Sequence, residues 1–263
     1  MKITRHPTKD GPDWWIVAHD LAIVGPTYIQ LRPIHVLTYL AQYLPGLGSK
    51  KAPIFKYCYA LENKLFAVRY QHFELRKAIS EWQDVIYSDK YIREYSDQQK
   101  VVCVIEALLN AIYSSLEITA KINLLLSPGL PHSFRDQAKK STFFSFDKWE
   151  WLRLFYDIRS EFEHYATSLP QMSDQALIFD ITREREKLSL GKGRWKIPLK
   201  DIIAFSVSLF SMLDHWALSI LPKIDPEQDL VSISQGAHNA PLEQKNIKAK
   251  EILALIEKPV GSS

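Results

Sequence analysis

One stretch governs what this chain can fold into. Between Asp97 and Leu126, the residues Val101, Val104, Ile105, Leu108, Leu109, Ile112, Leu116 and Ile122 recur at helical spacing and wrap much of the circumference. A helix that is apolar over most of its surface must be enclosed by other elements, so it is expected at the centre of the fold. Ser96-Asp97 reads as its N-cap, since a short oxygen-bearing side chain can accept from the first free backbone N–H groups. Ser127-Pro128-Gly129 ends it.

The same periodicity marks other segments. Pro33–Leu44 predicts a short helix, stopped by Pro45-Gly46-Leu47-Gly48. From about Pro53 to Ser88 a long helix directs Leu61, Leu65, Val68, Phe73, Leu75, Ile79 and Trp82 to a core. Another is expected from about Phe146 to Thr167, with Asp147 near its positive end. Pro198, at a first helical turn, opens the last major helix, which Pro222 closes. Leu130–Ser145 reads as a loop carrying Arg135, Lys139 and Lys140. Ala176–Thr182 alternates in part, and with Leu188–Ile197 and the Gly191-Lys192-Gly193 turn it predicts a β-hairpin. Trp14–Val24 fits a buried helix and a strand equally, and Gly25-Pro26 breaks it. The tail from Lys223 is polar and expected to be loose, apart from a short amphipathic helix near Asn246–Glu257. The fold class expected is therefore all-α, an up-down helical bundle with a small β-hairpin inserted before the last bundle helix. Residues 1–53 form an extension packing on the core, 54–222 the helical domain with its hairpin near 176–197, and 223–263 the tail.

Composition permits this and narrows the chemistry. At 46% hydrophobic and 12% aromatic, 263 residues can bury a substantial core. A net charge of +3 does not mark a nucleic-acid binder, nor does it forbid one, because local basic patches matter more than the total. Cys58 and Cys103 lie far apart in apolar helical surroundings and read as buried small hydrophobes. No Cys/His grouping has zinc spacing, and there is no Gly-rich phosphate loop, nucleophile elbow or H-E-x-x-H, so no metal or other cofactor is expected. Met1–Asp13 is polar without an apolar centre, and Trp14–Val24 is too short and interrupted to span a bilayer. The expectation is a reduced, cytoplasmic protein without membrane contact.

Chemistry and pattern coincide in Ile158-Arg159-Ser160-Glu161-Phe162-Glu163-His164-Tyr165. On a helical wheel Trp151, Phe155, Ile158, Phe162 and Tyr165 form one apolar stripe, expected to be core. Arg153, Asp157, Ser160 and His164 cluster opposite, with Arg159 and Glu163 on the flank. Ser160 and His164 are one turn apart. Such a polar face is either a solvated surface or a site.

The arginine, four intervening residues and a histidine make this segment resemble the HEPN superfamily, with Ser160 where asparagine is commonest. The likeness covers roughly residues 54–221. It implies an all-α bundle and a metal-independent endoribonuclease of the prokaryotic toxin or defence kind, cutting single-stranded RNA through its own 2′-hydroxyl. By that resemblance Arg159 would hold the scissile phosphate, His164 would move the proton, and Ser160 would orient one of them, with Asp157 and Glu163 lining the substrate. It also implies a homodimer, since one helix carries its Arg and His about 140° apart, and an antitoxin or other partner protein. Lys192, Arg194 and Trp195, with Lys196, place an aromatic ring among cations and are expected to grip RNA, against the plainer reading of a solubilised hairpin tip. Two alternatives stay open: a HEPN-like fold that binds without catalysis, and an unrelated all-α interaction dimer.

Overall fold

The structure, a computed structural model, describes residues 22–24, 29–86, 94–140, 143–164, 171–173, 175–181, 188–235 and 242–256. The helices are α1 (Pro33–Leu40), α2 (Lys51–Ile86), α3 (Glu94–Leu126), α4 (Phe134–Lys140), α5 (Trp151–His164), α6 (Leu199–Ile220) and α7 (Ala249–Leu253). The strands are β1 (Ala22–Val24), β2 (Ile29–Leu31), β3 (Gln171–Ser173), β4 (Ala176–Ile181), β5 (Gly193–Pro198), β6 (Asp229–Gln235) and β7 (Leu242–Lys248). The described chain is mostly helical, with three small antiparallel sheets, β1-β2, β3-β4-β5 and β6-β7. It divides into two compact units, Met1–Glu62 with Leu213–Ser263, and Asn63–Met212.

In the first unit α1 is almost wholly buried. Its N-cap, Arg32, offers no side-chain cap. Asp214 of α6 does the work instead: it accepts from the Ile34 backbone N–H at 3.1 Å and from the Arg32 guanidinium at 2.5 and 2.9 Å. A carboxylate at a helix N-terminus satisfies an orphan donor and complements the dipole. Buried His35 places its Nδ1 at 2.7 Å from Glu62, which also accepts from the Thr38 hydroxyl. Burial, aided by Glu62, pushes the Cys58 thiol up to about 12, so Cys58 is an inert core residue. The Leu31 N–H donates to Leu255 at 2.6 Å, tying β2 to the residues after α7.

In the second unit α3 is the core helix the sequence demanded. Val101, Ile105, Leu108, Leu109, Ile112, Leu116 and Ile122 are all buried. Gln137 of α4 is also buried, its amide donating to the Ala120 and Pro131 carbonyls and accepting from Asn123. That full satisfaction lets a polar side chain sit against α3 without an unpaired group. Phe155 of α5 meets the Phe205 ring of α6 edge-on at 5.7 Å.

Several expectations change. α3 starts at Glu94, so Ser96 and Asp97 lie inside it and do not cap it. The loop expected at 130–145 contains α4. Gly193 already belongs to β5, so the hairpin closes through 182–192 and not through the Gly-Lys-Gly turn, and β3 adds a third strand. The tail is not loose where it is described: β6 and β7 pair over seven residues each before α7. Leu230, Val231 and Ile233 sit among residues too polar to announce a strand. Cys103 is exposed and not buried, and Phe73 stands in solvent where a core residue was expected. Most of Trp14–Val24 lies outside the described residues, and its end forms β1. Two helical stretches, Gln98–Leu126 and Leu199–Lys223, are long and apolar enough to cross a membrane by length and composition, and half of each window is buried inside the fold.

Candidate functional site at the end of α5

α5 buries Leu152, Phe155, Tyr156 and Ile158. The buried arc is thus turned from the stripe the wheel drew, since Trp151 and Phe162 are only half-buried and Tyr165 lies outside the described residues. Arg159 falls between Phe155 and Leu152 on the wheel, so it points along the core side and not away from it. Its side chain is only 13% exposed. The guanidinium lies 3.5 Å from the centre of the Tyr113 ring on α3 and pairs with Glu163 one turn on. That pair is two-pronged: Nη1 and Nη2 each approach a different Glu163 oxygen at 2.6 Å. A flat cation on an aromatic face with its outer edge on a carboxylate is a fixed, directional group.

Asp157 does not line a substrate site. It is 3% exposed, and its carboxylate accepts from three successive backbone N–H groups, Leu188, Ser189 and Leu190, at 2.6–3.1 Å. The chain segment leading into β5 covers this face of the helix, which the wheel alone shows as outward. Asp157 is a positioning residue. Its ladder of charge-assisted bonds fixes the Leu188–Leu190 segment, just before β5, relative to α5.

The remaining candidates scatter. Ser160 is half-exposed. His164 is the last residue of α5, two turns or about 10 Å beyond Asp157, and its side chain lies outside the described residues. Lys192 and Arg194 are exposed. Arg194 stands opposite Asp180 in the register and donates to Gln171 at 3.4 Å. Trp195 is directed to the other face of the sheet, paired with buried Phe179, and its indole N–H donates back to the Gly191 carbonyl at 2.8 Å. Strand alternation therefore separates the ring from Arg194 and Lys196, and the expected ring among cations is not formed.

What the motif did not announce is the company Arg159 keeps. Tyr113 and Glu117 come from α3, one turn apart, and Tyr156 from α5, its ring edge-on to Tyr113 at 6.3 Å. Burial raises the Glu117 carboxyl above its ordinary value, against the opposing pull of the Phe134 N–H and of Lys121 and Arg159. Burial also raises the Tyr113 and Tyr156 phenols, with Glu117 adding to both. The one-turn spacing of Tyr113 and Glu117 on α3 was the available signal. Among the described residues no group of three or more His, Cys, Asp or Glu could hold a metal ion.

Compared with known proteins, the chain matches no family model, no curated protein and no solved structure.

Two outcomes follow from this geometry. Asp157→Ala leaves three N–H donors without their carboxylate, and buried Leu190 cannot turn to water. The expected loss in urea denaturation is roughly 1–3 kcal/mol, with faster hydrogen exchange at 188–190. Glu117 has a folded-state value above its ordinary 4.5. Its contribution is then most favourable below that value and is lost as pH climbs through the folded one. Glu117→Gln should gain stability relative to the parent as the pH is raised above 4.5, measured by urea midpoints.

Proposed function

We propose that this chain is a HEPN-like, metal-independent endoribonuclease that cuts single-stranded RNA as a homodimer. The observation that carries the reading is the two-pronged hold on Arg159. Glu163 presents two oxygens to the guanidinium edge, as a phosphodiester does, while Tyr113 fixes the plane behind it. An RNA phosphate exchanging with the Glu163 carboxylate meets a donor fork already aimed. The mostly helical fold, with the R-x4-H segment on the last turns of a packed helix, supports the same reading.

In this scheme the 2′-hydroxyl attacks the adjacent phosphorus and the bond to the 5′-oxygen breaks. The products are a 2′,3′-cyclic phosphate and a 5′-hydroxyl. His164 takes the proton from the attacking hydroxyl or returns one to the leaving oxygen, a task suited to a group titrating near neutrality. Arg159 balances the charge that grows on the phosphoryl oxygens. Ser160 supplies a hydroxyl where the family more often has an amide. A two-fold partner brings a second Arg and His to the same substrate.

A second reading has its own observation. Glu163 neutralises Arg159, and Trp195 faces away from the cations, which favours a dimer of this type that binds without cutting.

Purified protein is expected to cut single-stranded RNA in EDTA and leave cyclic-phosphate ends. His164→Ala should slow cutting on the order of 10²–10⁴-fold. Arg159→Lys, which keeps the charge and loses the fork, should also cripple it. Because Arg159 packs on Tyr113, its replacement by Ala should lower the melting temperature, so folding is checked alongside. Cutting by His164→Ala at the parental rate would remove the nuclease assignment. A parent that binds RNA and never cuts it selects the second reading.

A further inference from the structure

Three buried polar atoms gather where α3, α4 and α5 meet, and none has a hydrogen-bond partner among the described residues. They are the Tyr156 hydroxyl, Arg159 Nε and Arg135 Nε. The Phe134 N–H, one residue before Arg135, donates to Glu117 at 3.3 Å. The ring of Tyr113, one turn from Glu117 on α3, carries the Arg159 guanidinium at 3.5 Å and meets the Tyr156 ring at 6.3 Å. Besides its own burial, the groups that act on the Tyr156 phenol are Glu117, Tyr113, Arg135 and Arg159, so both guanidinium groups stand beside it.

Arg135 is half-buried, yet no hydrogen bond or ion pair holds it among the described residues. The adjacent Asp136 is turned to Ser133 and Lys139 instead. Tyr156 repeats the pattern: it is 8% exposed and its hydroxyl makes no bond, although buried tyrosines ordinarily find a partner. Donors outnumber acceptors here. Glu117 takes the Phe134 N–H, and burial already disfavours its charge. Glu163 is held by Arg159. A ligand that satisfies a planar cationic fork and a phenol together must be an anion with several acceptor oxygens, and RNA offers one at every nucleotide. α3 shows where such a strand would run. Tyr113, Glu117 and Lys121 follow at one-turn spacing, from the ring under Arg159 to an exposed cation, over about 12 Å. A stacked strand advances roughly 3.4 Å per nucleotide, so this ridge spans about three or four.

We infer that Arg135 and Tyr156 form a second phosphate subsite, holding a flanking phosphate of the strand whose scissile phosphate lies on Arg159. The inference rests on the RNase reading and adds to it the direction in which the strand leaves the site, along α3 towards Lys121. All three atoms are shielded from water, so binding needs one side chain to turn, and Arg135 is the one that no bond holds back. Its fork then takes the phosphate oxygens, and the Tyr156 hydroxyl donates to the same group. Arg135 and Tyr156 bind and position the strand here and do not touch the reacting atoms.

Two lengths of 2′-O-methyl RNA test it, a dinucleotide with a single phosphate and a hexanucleotide with five. The parent should bind the hexanucleotide much the more tightly. Arg135→Ala should weaken hexanucleotide binding roughly 10- to 100-fold and lower the slope of log affinity against log salt by about 0.7, the share of one phosphate contact on a single strand. Its effect on the dinucleotide should stay below about threefold, within the scatter of a lost remote charge. Arg135→Gln should act in the same direction if the alanine variant misfolds. Tyr156→Phe, which keeps the ring on Tyr113, should weaken the hexanucleotide about tenfold without lowering the melting temperature, because the hydroxyl it removes makes no bond in the free protein. If the parent binds and cuts RNA while these variants match its hexanucleotide affinity and salt slope, the subsite is overturned and the RNase reading stands. Equal losses on both lengths also overturn a separate subsite. A parent that binds neither oligonucleotide removes the RNase reading and the subsite together.

Discussion

The carboxylate of Asp157 is the interaction on which the arrangement around α5 depends. A single buried charge accepts from three consecutive main-chain N–H groups, and so fastens the segment leading into β5 along the helix. Such an anion is tolerable inside only because every bond made to it is charge-assisted. Its consequence is geometric. One side of α5 is closed by chain, the other is packed on α3 and α6 through Tyr156 and Phe155, and towards its end Ser160 is half-exposed and Glu163 exposed.

Arg159 gains its character from that confinement. On an open helix it would be one more mobile surface cation. Here Tyr113 lies behind the guanidinium and Glu163 closes its outer edge. An ion pair between partly exposed groups contributes little to stability by itself. Its interest is that the Glu163 carboxylate holds both guanidinium nitrogens at once, the two positions the proposed phosphate contact would use. The same contact can serve catalysis by pre-aiming the fork, or oppose it by occupying the fork, and the balance turns on how readily Glu163 yields.

Periodicity made much of the fold legible. The burial of Ile105, Leu108, Ile112 and Leu116 follows directly from a helix that is apolar over most of its surface. The R-x4-H segment was likewise visible as a polar interruption late on an amphipathic helix. What the wheel could not give is which outward faces other chain segments cover. Asp157 looked solvated because the 188–190 segment that buries it is thirty residues away in sequence. Phe73 looked like core because aromatic residues at helical spacing usually are, and here they form a second face beside the buried one. The β6-β7 pair was missed because strand pairing joins residues whose local composition reads as tail. Trp195 and Arg194 were joined by adjacency in sequence and parted by strand alternation.

The proposed role of Arg159 is that of a phosphate-binding fork held by Glu163. Isothermal titration with single-stranded 2′-O-methyl RNA, which cannot supply the attacking hydroxyl, separates binding from cleavage. The account predicts that Glu163→Gln, by releasing the guanidinium, binds this RNA more tightly than the parent. It also predicts that Arg159→Met, which keeps a long side chain on Tyr113 without the charge, binds about 10- to 100-fold more weakly. Equal affinities for the parent and both variants would contradict it.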